Sequence, residues 1–258
     1  MTRKEGMLLM GFSLFGPYHI GWLILIAMTT VVISKYFKKL DNKEKKTFQR
    51  KLAWFIFIFE IIKDIYLIYQ GEFSVHYLPF ELCGLAIFAI LYHAYTDSLI
   101  IGEKLYNLFL PGAIAALLFC NWTHRPIYDF MSLFSFIFHL ALVIYCVMVL
   151  FAGIVKPNKS RIKSSVVFLA VAGSIIYPLN KKWDTNFMFL NVPSPGSPLV
   201  PLENMLGNPG YIFGLACLIA LLWFVMYLPW HKLGQIKEKN QLSANPSYKS
   251  NNMIETET

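Results

Sequence analysis

The sequence predicts an all-α fold, a polytopic membrane bundle of seven transmembrane helices. Three observations carry that prediction. The 258 residues are 56% hydrophobic and 16% aromatic, above the ~45–50% apolar content of soluble domains even with glycine counted. The apolar residues gather into segments near the roughly 20 residues needed to cross a bilayer. The basic residues cluster between those segments, a pattern of membrane topology rather than of nucleic-acid binding.

Seven segments qualify, at roughly 17–35, 52–70, 77–95, 104–120, 131–155, 163–180 and 209–230. Arg3 and Lys4 precede the first as in a signal peptide, but no small-residue cleavage site follows, so a retained first helix is expected. Gly16-Pro17 separates that helix from an interfacial lead-in. Pro79, near the head of the third, suits a first helical turn. Pro111 should break the fourth, which membrane helices tolerate where neighbours satisfy the freed backbone groups. No internal repeat is evident. The expected organisation is one membrane domain over 1–230, followed by a polar, disordered tail over 231–258.

Seventeen Lys and Arg fall in the first, third and fifth connections and the tail, against five in the N-terminus and the even-numbered connections. This places the C-terminus in the cytoplasm and the N-terminus outside. The setting expected is the cell membrane of a bacterium. Membrane lipid is the expected partner, with no nucleic acid, no cofactor and no metal. The four cysteines (Cys83, Cys120, Cys146, Cys217) have no close pairs. Cys120 and His124 alone are too few for a metal site.

With this topology, polar side chains collect in one outer layer. On the predicted boundaries Cys83 and Asp64 each lie about 9 Å in and His139 about 12 Å. His19 occupies the first turn of the first helix. Ser132, Ser135 and His139 make a polar stripe at helical spacing. Glu60, Lys63 and Asp64 share a face of the second helix and are expected to pair, because an unpaired charge in the bilayer is costly.

The chemical reading is a thiol nucleophile, Cys83, with His139 as its base and Asp64 or His19 orienting the imidazole. A helix N-terminus or a histidinium favours the thiolate. Packing cysteine, helix-bridging histidine and internal salt bridge are the structural alternatives for the same residues. A transporter or channel using the charged cluster and the Pro111 break is a second functional class, and a non-catalytic binding protein a third.

The segment Leu78-Pro79-Phe80-Glu81-Leu82-Cys83-Gly84-Leu85 resembles the YwaF family of bacterial integral membrane proteins, related to eukaryotic transmembrane protein 164. The resemblance continues through Leu110-Pro111-Gly112-Ala113, Asn121-Trp122-Thr123, His139, Asn180 and Asp184 to Leu190. The eukaryotic relatives resemble cysteine-dependent phospholipid acyltransferases, akin to lipid hydrolases that pair a nucleophile with a membrane histidine. The resemblance thus implies Cys83 as nucleophile and His139 as histidine. This chain departs from the bacterial pattern at Glu81 and Phe187. The Pro-rich connection 181–208 is expected as a lid or a cap, with Asn180 and Asn186 as possible donors to a developing oxyanion.

Overall fold

The computed structural model describes residues 11–244, with side chains through residue 230. Eight α-helices follow in order: α1 Pro17–Lys39, α2 Asn42–Tyr69, α3 Leu82–Thr96, α4 Leu99–Leu118, α5 Phe130–Phe151, α6 Ile162–Trp183, α7 Leu199–Leu206 and α8 Tyr211–Ala244. Among the described residues there is no strand. Five helical stretches are long and apolar enough to cross a membrane: α1, α4, α5, Lys159–Trp183 and Tyr211–Trp230. The chain is a membrane protein by this measure. Its outer surface agrees, for Ile24, Met28 and Val32 on α1 and Val167, Val171 and Ile175 on α6 form exposed apolar stripes at four-residue spacing.

Helix α5 is the axis of the bundle. It is apolar apart from the Ser132, Ser135 and His139 stripe, and Phe136, Leu142, Tyr145, Cys146, Met148 and Val149 are fully covered. Helices α1, α2, α3 and the second half of α4 pack around it. Contacts at the two ends show that α1 to α5 alternate in direction. At one end Lys46 pairs with Asp97, Arg50 lies over the Tyr95 ring and Lys38 over the Phe151 ring. At the other, Tyr18 Oη donates to the Ile127 carbonyl at 2.7 Å and Phe12 N–H to the Thr123 carbonyl at 3.0 Å.

Several boundaries differ from the sequence reading. The basic first connection is mostly helix: α1 runs through Lys39 and α2 starts at Asn42. Asp41 and Glu44 cap α2 reciprocally, and Lys, Arg and Glu extend helices readily beyond an apolar core. Helix α8 likewise continues through Ala244, into the stretch expected as tail; residues 245–258 lie outside the described residues. The 181–208 connection contains the short helix α7.

The break at Pro111 takes a specific form. Residues Leu105–Phe109 wind as a π-helix immediately before the proline. Pro111 has no N–H for the Asn107 carbonyl four residues back. That carbonyl instead accepts from Trp223 Nε1 on α8 at 2.8 Å. The Asn107 side chain accepts from Ser165 Oγ at 2.9 Å and donates to Tyr227 Oη at 3.1 Å. One turn earlier, fully buried Glu103 accepts from Arg161 Nε at 2.9 Å, from the Asn158 N–H, and from Tyr227. This polar network anchors α6 and α8 to α4.

Candidate functional site

The corner before α3 differs most from expectation. Pro79 does not begin a helix: Val75–Tyr77 is a 3₁₀ turn, Glu81 is the N-cap and α3 starts at Leu82. Cys83 is therefore the second residue of its helix rather than a full turn inside one. The reason is a backbone that folds inward. Lys63 stands six residues before the end of α2, roughly 9 Å below it, and its ammonium donates to the Tyr77 carbonyl at 3.3 Å. Residues 75–81 thus descend beside α2, and α3 begins within the bundle. Gly84 makes the corner possible, since a Cβ there would lie 2.7 Å from the Pro79 backbone.

The start of α3 is open. Glu81 provides no side-chain cap, and its carboxylate accepts instead from the Met188 N–H at 2.8 Å. The first intrahelical bond comes from Leu85 to the Glu81 carbonyl. The N–H groups of Leu82, Cys83 and Gly84 are thus left at the helix mouth. Cys83 is partly buried, a free thiol within electrostatic reach of Glu60 and Glu81. Glu60 is nine residues from the end of α2, roughly 14 Å below that end.

His139 is the tenth residue of α5, again roughly 14 Å from the helix start. Its Nδ1 sits 2.7 Å from the Ser135 carbonyl. A carbonyl only accepts, so Nδ1 carries the proton and Nε2 keeps the lone pair. Trp122 stacks on the ring at 5.5 Å and 16°, and Phe138 meets it edge-on. Ser132, His139 and Cys146 recur every seven residues along one face of α5. Cys83 lies within electrostatic reach of Cys146, and α3 packs against α5.

The supporting residues have other attachments. His19 is fully buried, its Nδ1 accepting from Phe15 N–H at 2.9 Å and its Nε2 donating to the Leu117 carbonyl at 2.8 Å. Both nitrogens are committed, so His19 holds α1 against α4 and has none left for His139. Cys120 lies 3.6 Å from the same Nε2. Asp64 Oδ1 is 3.1 Å from Lys63 Nζ, which also binds Glu60 and carries rings of Tyr77 and Phe134 beside it. The charged cluster is a closed ion triad, the pairing its sequence predicts. Orientation of His139 comes from the Ser135 carbonyl and Trp122.

Asn180 and Asn186 shape the connection after α6. Asn180 Oδ1 accepts from Thr185 Oγ1 and Phe187 N–H, and its Nδ2 donates to the Phe187 carbonyl at 2.9 Å. Asn186 accepts from the N–H groups of Asn191 and Val192 and donates to the Val192 carbonyl. Their amides are spent on folding the loop. The loop in turn sets Phe187 edge-on to Phe80 at 5.5 Å and covers the corner before Cys83. Met188 and Phe189 hold positive φ there.

Sequence reasoning missed two parts of this site. The open backbone N–H groups at 82–84 have no side-chain signature except a residue other than Ser, Thr, Asn or Asp at the cap. Trp122 belonged to a quoted motif, yet its stacking on His139 depends on how the α4–α5 connection folds back. Among the described residues no group of three or more His, Cys, Asp or Glu forms a metal-ligand set.

A family model, that of the TMEM164 family, matches residues 14–227. The chain belongs to the TMEM164 family. No match is found among curated proteins or among solved structures. The TMEM164 match runs from just before α1 to within α8, so it takes in Cys83, His139, the ion triad and the covering loop together.

Proposed function

We propose that this TMEM164-family chain is a membrane lipid acyltransferase or ester hydrolase of the YwaF branch, with Cys83 as nucleophile and His139 as general base. What supports the reading is a thiol at an uncapped helix start and, on a helix packed against it, an imidazole whose Nδ1–H is held by a backbone carbonyl, which leaves the lone pair on Nε2. His139 Nε2 takes the Cys83 proton, and the thiolate attacks the ester carbonyl carbon. The tetrahedral oxyanion is held by N–H groups at the mouth of α3, in place of the two asparagines. Collapse breaks the ester C–O bond; the leaving alkoxide takes the proton back from the imidazolium, and a Cys83 thioester remains. A lipid hydroxyl completes transfer, or water completes hydrolysis, with His139 again as base.

Seven spans, with the N-terminus outside and the C-terminus cytoplasmic, fit this reading. They are supported by the five long apolar stretches together with α2 and the shorter apolar α3, which alternate in direction with their neighbours. Charges on α2 lie at its basic end or in the ion triad, and the 75–81 segment extends the short α3. In that arrangement the thiol serves the outer leaflet of a bacterial plasma membrane, under the 184–210 loop.

The test is lipid profiling of one host expressing the native chain or Cys83→Ala at equal membrane levels. The proposal expects a class of phospholipid esters to change only with the native chain. Identical profiles would remove its support.

A further inference from the structure

A second site stands at the opposite end of the bundle from Cys83. The first two turns of α2, the end of α3 and the end of α5 enclose a pocket of about 270 Å³ lined by Asn42, Lys45, Lys46, Gln49, Asp97 and Gly153. Gln49 is fully buried. Its amide lies beside the Tyr145 hydroxyl, but that hydroxyl is aligned on His93 Nδ1 at 3.0 Å. Neither amide atom of Gln49 completes a hydrogen bond of normal geometry. The Tyr145 contact uses at most one of the amide's donors and acceptors, and a buried amide left largely unsatisfied costs stability, which a native chain tolerates where a ligand or ordered water supplies the rest.

The charges lining the pocket say which ligand. Lys46 is paired with Asp97, whose second carboxylate oxygen, Oδ1, is buried and without a hydrogen bond. Lys45 is partly buried and has no ion-pair partner among the described residues. The groups left over in the pocket are thus a cation, an amide and a carboxylate acceptor. Both a carboxylate and a phosphate have acceptor sites enough for Lys45, Gln49 and Asn42; a phosphate ester brings a third anionic oxygen to the cation and an ester-linked alcohol portion for the remaining acceptor. Its alcohol portion, if it carries a hydroxyl, donates to Asp97 Oδ1.

We infer that this pocket binds a phosphate ester bearing a hydroxyl, such as a phosphoglycerol group. The group belongs either to a phospholipid head or to a soluble sugar-alcohol phosphate. Exposed Trp54 and Phe55, little more than one turn further along α2, open the apolar belt, so the pocket sits at the level of lipid headgroups.

The full chain, purified in detergent with phosphatidylcholine, is titrated with short-chain phosphatidylglycerol and separately with glycerol 3-phosphate, with binding read by native mass spectrometry. Phosphatidylglycerol is expected to bind. Lys45→Ala and Gln49→Leu should each weaken it about tenfold, and Lys45→Arg should retain it. Gln49→Leu should also raise the thermal stability of the ligand-free protein, because it removes an unsatisfied buried amide. Binding of glycerol 3-phosphate with the same sensitivity to both variants supports the site and assigns the soluble source. Binding of neither probe, or binding indifferent to both variants, overturns the inference.

Discussion

The imidazole of His139 is fixed by the backbone of Ser135, not by a charged partner: Nδ1–H donates to that carbonyl at 2.7 Å, and the lone pair is left on Nε2. A hydroxyl at position 135 is irrelevant to this bond, since Ser135 Oγ donates instead to the Met131 carbonyl. Ser135→Ala should therefore leave thiol labelling of the membrane-inserted chain by a lipid-like electrophile unchanged, whereas His139→Gln should abolish it. Loss of labelling in Ser135→Ala would show that the side chain positions the base.

Gly84 provides a second prediction. Alanine there places a methyl group 2.7 Å from the Pro79 backbone, and the corner must open. Gly84→Ala should cost about 1–3 kcal/mol of stability and suppress Cys83 labelling, as followed by thermal unfolding in detergent alongside the probe reaction. Normal labelling at unchanged stability would mean that the corner is not closely packed.

The exchange of partners at Pro111 can be read in a double-mutant cycle. Trp223→Phe strips the donor from the buried Asn107 carbonyl and should cost about 1–3 kcal/mol. In a Pro111→Ala background the new N–H can reach that carbonyl, so the cost of Trp223→Phe should fall measurably. Additive losses would refute the compensation.

Lys63 neutralises two carboxylates at once. Lys63→Met leaves Glu60 and Asp64 facing each other with no cation, and should destabilise the chain by about 3–5 kcal/mol, the range for breaking a buried pair. Asp64→Asn should not alter ion flux in liposomes, because the triad is structural. Flux lost in that variant would favour a transport role.

The course of the chain was readable where composition decides it. The apolar runs fall on helices, five of them long and apolar enough to cross a membrane, and Gly16-Pro17 and the Lys-rich end appear as a helix start and a basic end. Helix limits were less readable because Lys and Glu are helix formers as well as interface markers, which lengthened α1, α2 and α8. Pro79 misled for a geometric reason: a proline suits a first turn and also suits the extended backbone that leads into one, and only the Lys63–Tyr77 contact distinguishes them. The ion triad lay within one helix and was legible from spacing. The attachments of His19, Asn180 and Asn186 were not, since each ends on a backbone group whose position depends on the folding of another segment.

The most direct test of the central claim is the intact mass of the full chain after incubation in phospholipid bilayers and rapid acid quench. The account predicts an added acyl mass on Cys83, released by hydroxylamine as a thioester and absent in Cys83→Ala. The same acyl mass on the alanine variant, or none on the native chain with every candidate phospholipid class supplied, would contradict it.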